Sequence, residues 1–528
     1  MGVEHKNRDA RPASSRQGQV DGSARRLDLT SAIRGGMFWN VLSFVMSQGA
    51  SFVIFLIIAS QLPPEVFGIV ALASIFSDFV GSDGRYACMD AIMQCGRYDK
   101  RSLNSAFLAF LAFAVVFAAA MFAAAGPVGR LFGEPLIATF MPLFGVMILP
   151  VPWLAVMDAL ISRDLSFRQL TKRSIYGTLA GGAAGIVMAF SPWLVWALAA
   201  QRIVTLATTV FFEYRYTRWF PGLTVNWAMA RNFAGRFLPL WVISAFGQIA
   251  PRFLLVFFGL RFDGFTIGLL RAANRIVESV QGPIINPIMG LWFPLMAKVR
   301  GNLEGERQVY RDLTHNVVLL AFPAFAGLIL VADDVVSVFL PERYAGVAPL
   351  MRAVSLATMA APIAWFSGVA MAALGLNRAS LIYTGAGAIG CVCALLVAPK
   401  IDAPWLYLTT SIPTPLIAAV GVAVVNRRLQ QSNLQYYAGL VPPVLATIAM
   451  VLGVWGLQHF LVGVGEVLRL GLCGVVGAAV YLGWLFIFHR PWLVERIKML
   501  TGRDLSGRRH SKAPGELVAA PGSNTAEA

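Results

Sequence analysis

Residues 47–78 read SQGASFVIFLIIASQLPPEVFGIVALASIFSD. Two apolar stretches flank a short turn, Gln61-Leu62-Pro63-Pro64-Glu65, so the segment predicts two helices running in opposite directions. Residues 247–278 read GQIAPRFLLVFFGLRFDGFTIGLLRAANRIVE, and Gln48 then aligns with Gln248, Ala50 with Ala250, Gly68 with Gly268, Ala73 with Ala273 and Asp78 with Glu278. Chance likeness between two apolar helix pairs is the competing explanation. A true repeat predicts two six-helix bundles, residues 36–212 and 237–425, with a cavity at their interface.

The rest of the chain continues the pattern. Apolar stretches of spanning length occupy 36–60, 66–90, 104–126, 136–160, 173–190, 193–212, 237–260, 264–297 (broken), 314–332, 348–374, 380–398, 404–425, 437–459 and 467–489. The fold class expected is therefore an all-α polytopic membrane protein of about 14 transmembrane helices. Residues 1–35 and 491–528 read as cytoplasmic tails, 213–236 as an inter-lobe loop, and 426–490 as two helices outside the repeat. A short interfacial helix is expected at 491–500.

Composition agrees. The chain is 57% hydrophobic and 13% charged, with a mean hydropathy of +0.67; soluble chains carry about 25% charged residues. Basic residues crowd every second loop. Of 43 lysines and arginines, the alternate loops hold only Arg130, Arg261, Arg343 and Lys400. That asymmetry predicts a bacterial inner-membrane protein with both ends in the cytoplasm. The net charge of +16 thus reads as topology signal and contact with membrane lipids, not as nucleic-acid binding. The five cysteines form no CxxC pair, and no phosphate loop, metal-ligand spacing or nucleophile elbow appears. An enzyme is not expected, nor is a cofactor.

Several motifs then carry a resemblance. Phe38–Phe76, with the turn Pro64-Glu65-Val66-Phe67-Gly68, is followed by ISRDLSFRQL (161–170), IGLLRAANRI (267–276) and WFPLMAKV (292–299). In this order they resemble the bacterial polysaccharide-transporter (Wzx-type) flippases of the multidrug/oligosaccharidyl-lipid/polysaccharide exporter superfamily. The resemblance covers residues 34–430 and departs at Leu270, often Tyr in the family, and at Arg252, often acidic. It implies export of a polyprenyl-diphosphate-linked oligosaccharide for exopolysaccharide, capsule or lipopolysaccharide O-antigen. A polysaccharide polymerase and export machinery are the partners it implies. The rivals are a multidrug/cation antiporter, a peptidoglycan-precursor flippase and, against the short outward loops, a polymerase.

Such a substrate needs a wet cavity with cations for phosphate, and the guanidinium fork suits phosphate. The candidates are Arg252, Arg271, Arg275, Arg85 and Arg202, with Gln48 and Gln248 for sugar. Each has a structural alternative: snorkelling for Arg85, an ion pair with Glu278 for the Arg271 segment, backbone bonding for Arg202, packing bonds for the glutamines. Trp241 and Trp365 are candidate sugar platforms beside an expected interfacial belt. Without an ATP site, energy is expected from an H+ or Na+ gradient or the membrane potential. Asp78, Asp158 and Glu278 are the candidate carriers.

Overall fold

The computed structural model describes residues 46–492 except 97, 165, 223, 462 and 491; both tails, the start of the first span and the expected interfacial helix lie outside it. Among the described residues there are helices and no strands. They are α1 (Met46–Gln61), α2 (Pro64–Asp78), a π-turn at Phe79–Gly84, α3 (Arg85–Cys95), α4 (Lys100–Phe132), α5 (Pro135–Ile148), α6 (Val151–Arg163), α7 (Phe167–Ala189) and α8 (Ala197–Thr217). The second half holds α9 (Trp227–Gly247), α10 (Ile249–Arg261), α11 (Gly264–Val299), α12 (Leu303–Leu330), α13 (Ala332–Phe339), α14 (Val347–Ala373), α15 (Asn377–Val397), α16 (Ala403–Ser411) and α17 (Pro413–Arg428). Then come α18 (Asn433–Ala438), α19 (Val441–Phe460) and α20 (Glu466–Phe488). Nine described helices are long and apolar enough to cross a membrane, or up to eleven if each of two bent pairs is one span. The protein is a multi-pass membrane protein.

Several boundaries move relative to the sequence expectation. The inter-lobe loop shrinks from 213–236 to 218–226: α8 continues to Thr217, and α9 begins at Trp227 because Asn226 caps it, accepting from Ala228 N and Met229 N. The segment expected to be broken, α11, runs unbroken through Pro283 and Pro287. Breaks fall elsewhere, with bends of 41° between α5 and α6 and 56° between α9 and α10. Pro251 lies in the first turn of α10, where its missing N–H costs nothing, and the bend precedes it at Gln248.

The two halves meet where α2 crosses α11. A Cβ on Gly68 would lie 2.2 Å from the Gly264 carbonyl oxygen, and one on Gly268 would lie 1.8 Å from the Pro64 carbonyl oxygen. At an offset of 200, Pro64 corresponds to Gly264 and Gly68 to Gly268. The two contacts are therefore exchanged by the repeat, as a two-fold axis between the halves requires. Only glycine allows this approach, since any side chain would strike backbone.

This crossing sits at the side of the molecule whose loops are poor in basic residues. Further contacts seal that side. The Tyr344 hydroxyl donates to Leu62 O at 2.9 Å, Arg343 Nη2 donates to Ser60 O at 2.5 Å and Ala59 O at 3.2 Å, and Arg261 donates to Ala398 O and Pro399 O. Helices α19 and α20 pack on α12 and α13 through a small separate core around Leu319, Met450 and Leu485. The Tyr481 hydroxyl donates to Leu319 O (2.7 Å), and Arg469 Nε pairs with buried Asp334 at 2.7 Å.

Candidate functional site

The π-turn organises the site. Adding a residue to the helical turn swings the side chains that follow it onto new bearings, a device common at functional sites. Here Asp78, just before the turn, and Arg85, just after it, both line a cavity, while Asp83 within the turn faces α10. Trp241 Nε1 donates to the Phe79 carbonyl oxygen at 2.8 Å, which anchors the turn to α9.

The cavity has a volume of about 540 Å3. Its lining comes from α1–α3, the π-turn, α5–α8 and, in the second half, from α11 alone. Four of the five expected arginines converge there: Arg85, Arg202, Arg271 and Arg275. A single carboxylate, Asp78, also lines it. Arg202 Nη1 lies 3.4 Å from Asp78 Oδ1, with both side chains over a third exposed, and the Arg202 guanidinium sits 5.2 Å from the centre of the Phe144 ring. Arg275 donates to the Ser51 hydroxyl and stands 3.9 Å from Glu278, too far for a hydrogen bond. Arg271, one turn earlier on the same helix face, makes no ion pair with any described residue. The cavity therefore presents unneutralised positive charge inside the membrane.

Arg85 is different. Its Nε reaches Asp158 Oδ2 at 2.5 Å and its Nη2 reaches Glu213 Oε1 at 2.8 Å. Arg173 bonds to the same two carboxylates. Asp158 is 3% exposed and Glu213 1%. Two cations and two anions from α3, α6, α7 and α8 thus form a closed neutral network, of the kind that tolerates burial because each charge has a partner. Sequence reasoning missed Arg173, read as a loop cation, and Glu213, which lies one residue beyond the expected end of its span. The available signal was an acid closing the run IVTLATTVFFE (203–213), otherwise uncharged, next to the Arg215 and Arg218 loop.

The remaining candidates lie elsewhere. Arg252 does not line the cavity. Its Nη1 pairs with Asp83 Oδ2 at 2.7 Å, and its guanidinium sits 3.8 Å from the centre of the Phe79 ring, joining α10 to the π-turn. Asp83 was likewise passed over by sequence reasoning. Asp158 belongs to the buried network, and Glu278 is about half exposed beside Arg275. Gln48 and Gln248 are outside the lining, the latter at the α9–α10 break. Trp241 packs edge-on against Phe113 at 4.9 Å, and Trp365 also stands outside the cavity. No group of three or more His, Cys, Asp or Glu among the described residues could hold a metal ion.

Helices α7 and α8 form one wall. Gly177, Gly181 and Gly185 recur every fourth residue on α7 and face Thr209, Thr205 and Gln201 of α8. A Cβ at Gly181 would come within 1.9 Å of the Thr205 hydroxyl. The α8 residues that face the cavity therefore stand in a fixed rotation.

The family model of the polysaccharide biosynthesis proteins matches residues 57–349, which include 57–78 of the first repeat copy, all of the second, the π-turn and every arginine of the cavity. The chain belongs to this family. The succinoglycan biosynthesis transport protein ExoT of Rhizobium meliloti (strain 1021) is 25% identical over 494 residues, covering 88% of this chain and 95% of that protein. The lipopolysaccharide biosynthesis protein WzxC of Escherichia coli (strain K12) is 21% identical over 323 residues, 60% of this chain and 65% of that protein. Among solved structures, the lipid II flippase MurJ in its inward closed conformation superposes with a TM-score of 0.72 at 14% identity, covering 86% of this chain and 99% of MurJ. At that identity the likeness speaks for the fold, which is that of the multidrug/oligosaccharidyl-lipid/polysaccharide exporters.

Proposed function

We propose that this family member is a flippase. It carries a polyprenyl-diphosphate-linked oligosaccharide from the cytoplasmic to the periplasmic leaflet of a bacterial inner membrane, and supplies exopolysaccharide, capsule or O-antigen synthesis. One observation carries this reading: of the four arginines that line the cavity, Arg85 is neutralised by Asp158 and Glu213 and Arg202 faces Asp78, but Arg271 has no ion pair with any described residue and Arg275 stands 3.9 Å from Glu278. Charge inside a bilayer is costly, by at least ~2.5 kcal/mol for an arginine at mid-depth, so unneutralised cations there imply an anionic ligand that arrives. Arg271, which has no ion pair with any described residue, and Arg275, which has no hydrogen bond to Glu278, would take the diphosphate through forked hydrogen bonds. The named relatives, a succinoglycan transport protein and a lipopolysaccharide biosynthesis protein, support a glycolipid cargo. A cation antiporter would want the opposite sign of charge.

The movement follows from the repeat. Fourteen crossings in two six-helix lobes, 36–212 and 237–425, would rock about the α2–α11 crossing with both termini in the cytoplasm, while α19 and α20 stay outside the repeat. The chain would do no covalent chemistry. If an H+ or Na+ gradient drives it, Asp78 and Glu278 are the candidate acids with access to water. A polymerase on the periplasmic side would consume the product.

The test is a deletion strain assayed for surface polymer and for complete lipid-linked repeat units on the cytoplasmic side. The units should accumulate as polymer is lost. Complementation with Arg271→Ala should restore about 10- to 100-fold less export than the parent, from the loss of charge-assisted hydrogen bonds worth about 1.5–3 kcal/mol. Full polymer output from that variant at equal membrane abundance would remove Arg271 from the site.

A further inference from the structure

Beside Arg202, α8 lines the cavity with uncharged polar side chains that α11 does not contribute. Gln201, Thr205 and Thr209 follow one another at i, i+4 and i+8 and all line the cavity, as does Thr178 of α7. Thr205 Oγ1 donates to Gln201 O at 2.8 Å, and Thr209 Oγ1 donates to Thr205 O at 2.7 Å. Each hydroxyl hydrogen is thereby committed to the helix backbone, and only oxygen lone pairs are left for a ligand. The close contact of Gly181 with Thr205 holds this arrangement in place. A partner that meets these oxygens must bring its own hydrogen. A phosphate oxygen, ionised near neutral pH, has none to offer. A sugar hydroxyl does. The arginines of α11 have the reverse preference, because guanidinium only donates.

We propose that Thr205 and Thr209, with Gln201 and Thr178, form the subsite for the sugar attached to the diphosphate, and that they select it through its hydroxyl hydrogens. The proposal rests on the flippase reading of the same cavity. With the phosphates on Arg271 and Arg275 of α11, the first sugar would face Thr205 and Thr209 of α8. A volume of about 540 Å3 suits one small ligand and not a long oligosaccharide, since such pockets span about 300–1,000 Å3. Recognition is thus confined to the lipid-proximal sugar, and the distal sugars would extend beyond the cavity. Sugars deoxygenated or O-methylated at the hydroxyls that face α8 would be poor ligands.

The experiment measures binding of three lipids to the full-length protein in nanodiscs: undecaprenyl diphosphate, its glucosyl form and its galactosyl form. The parent protein should bind at least one glycosyl form more tightly than the bare diphosphate. Thr205→Val, which keeps the shape and removes the acceptor, should weaken the preferred glycosyl form by roughly 5-fold and leave the bare diphosphate unchanged. Thr205→Ser should restore the preference. Arg271→Ala should weaken all three lipids. Equal loss for glycosylated and bare lipid in Thr205→Val, no loss for either, or no preference in the parent would overturn the sugar subsite while leaving the diphosphate site standing. Failure of the parent to bind any of the three would overturn both.

Discussion

The two halves of the chain share an order of helices and differ in what fills them. In the first half, α1–α3 and α5–α8 line an open, charged cavity that touches the neutral network of Arg85, Asp158, Arg173 and Glu213 through Arg85. In the second half, Trp292, Tyr310, Phe366 and Tyr436 fill the interior and are essentially inaccessible. Trp292 meets Phe366 at 5.0 Å and Tyr310 at 6.2 Å, Tyr310 stacks on Tyr436 at 5.3 Å, and the Tyr310 and Ser367 hydroxyls share a hydrogen bond of 3.2 Å. Most of the cavity lining comes from the first half. The second copy contributes Arg271 and Arg275 on α11, whose counterparts in the first half are Ala71 and Ile75.

That division can be broken experimentally. The largest effect is expected at the packed interior. Trp292→Ala should cost about 3–5 kcal/mol of stability, seen as a lower unfolding temperature in detergent, while the protein that remains folded still binds glycolipid. If it instead abolishes binding at unchanged stability, the packed half belongs to the site. Glu213→Gln comes next. It leaves two buried arginines with one carboxylate and should destabilise by about 3 kcal/mol. Glu213→Gln combined with Arg173→Gln should recover part of that loss, whereas an additive loss would show that the four groups do not act as a unit. The smallest effect is expected at the sealed side. Tyr344→Phe removes one hydrogen bond to Leu62 O, worth about 1 kcal/mol, and should raise labelling of cysteines introduced on that side without changing lipid affinity. Unchanged labelling would mean that the glycine crossing alone keeps that side shut.

Much of the fold was legible in the sequence. Apolar length, loop charge and the 47–78 and 247–278 repeat located the helices in order, and the repeat reappears as the exchanged contacts Pro64–Gly268 and Gly68–Gly264. Depth in the membrane could be read, and so intramembrane cations were found. Direction around the helix axis could not. Lipid and protein interior are equally apolar, so a spanning helix lacks the strong polar face that marks orientation in a soluble protein. Arg252 and Arg271 therefore looked alike in sequence, yet one is stacked on Phe79 beside Asp83 and the other opens into the cavity. The π-turn, which decides where Asp78, Asp83 and Arg85 point, has no signature beyond the small residues Gly81, Ser82 and Gly84. Glu213 was lost to a boundary error of a single residue.

The glycine crossing of α2 and α11 has a mechanical consequence. At Gly68 and Gly268 backbone meets backbone directly, and such a contact resists being pressed together more than it resists swivelling. The contact lies at one face of the bilayer, so it acts as a fulcrum placed at the end of a lever. A swivel of about 10° there displaces the opposite face, ~30 Å away, by roughly 5 Å. A small angular change at Gly68 and Gly268 is in this way geared up into a wide aperture on the far side.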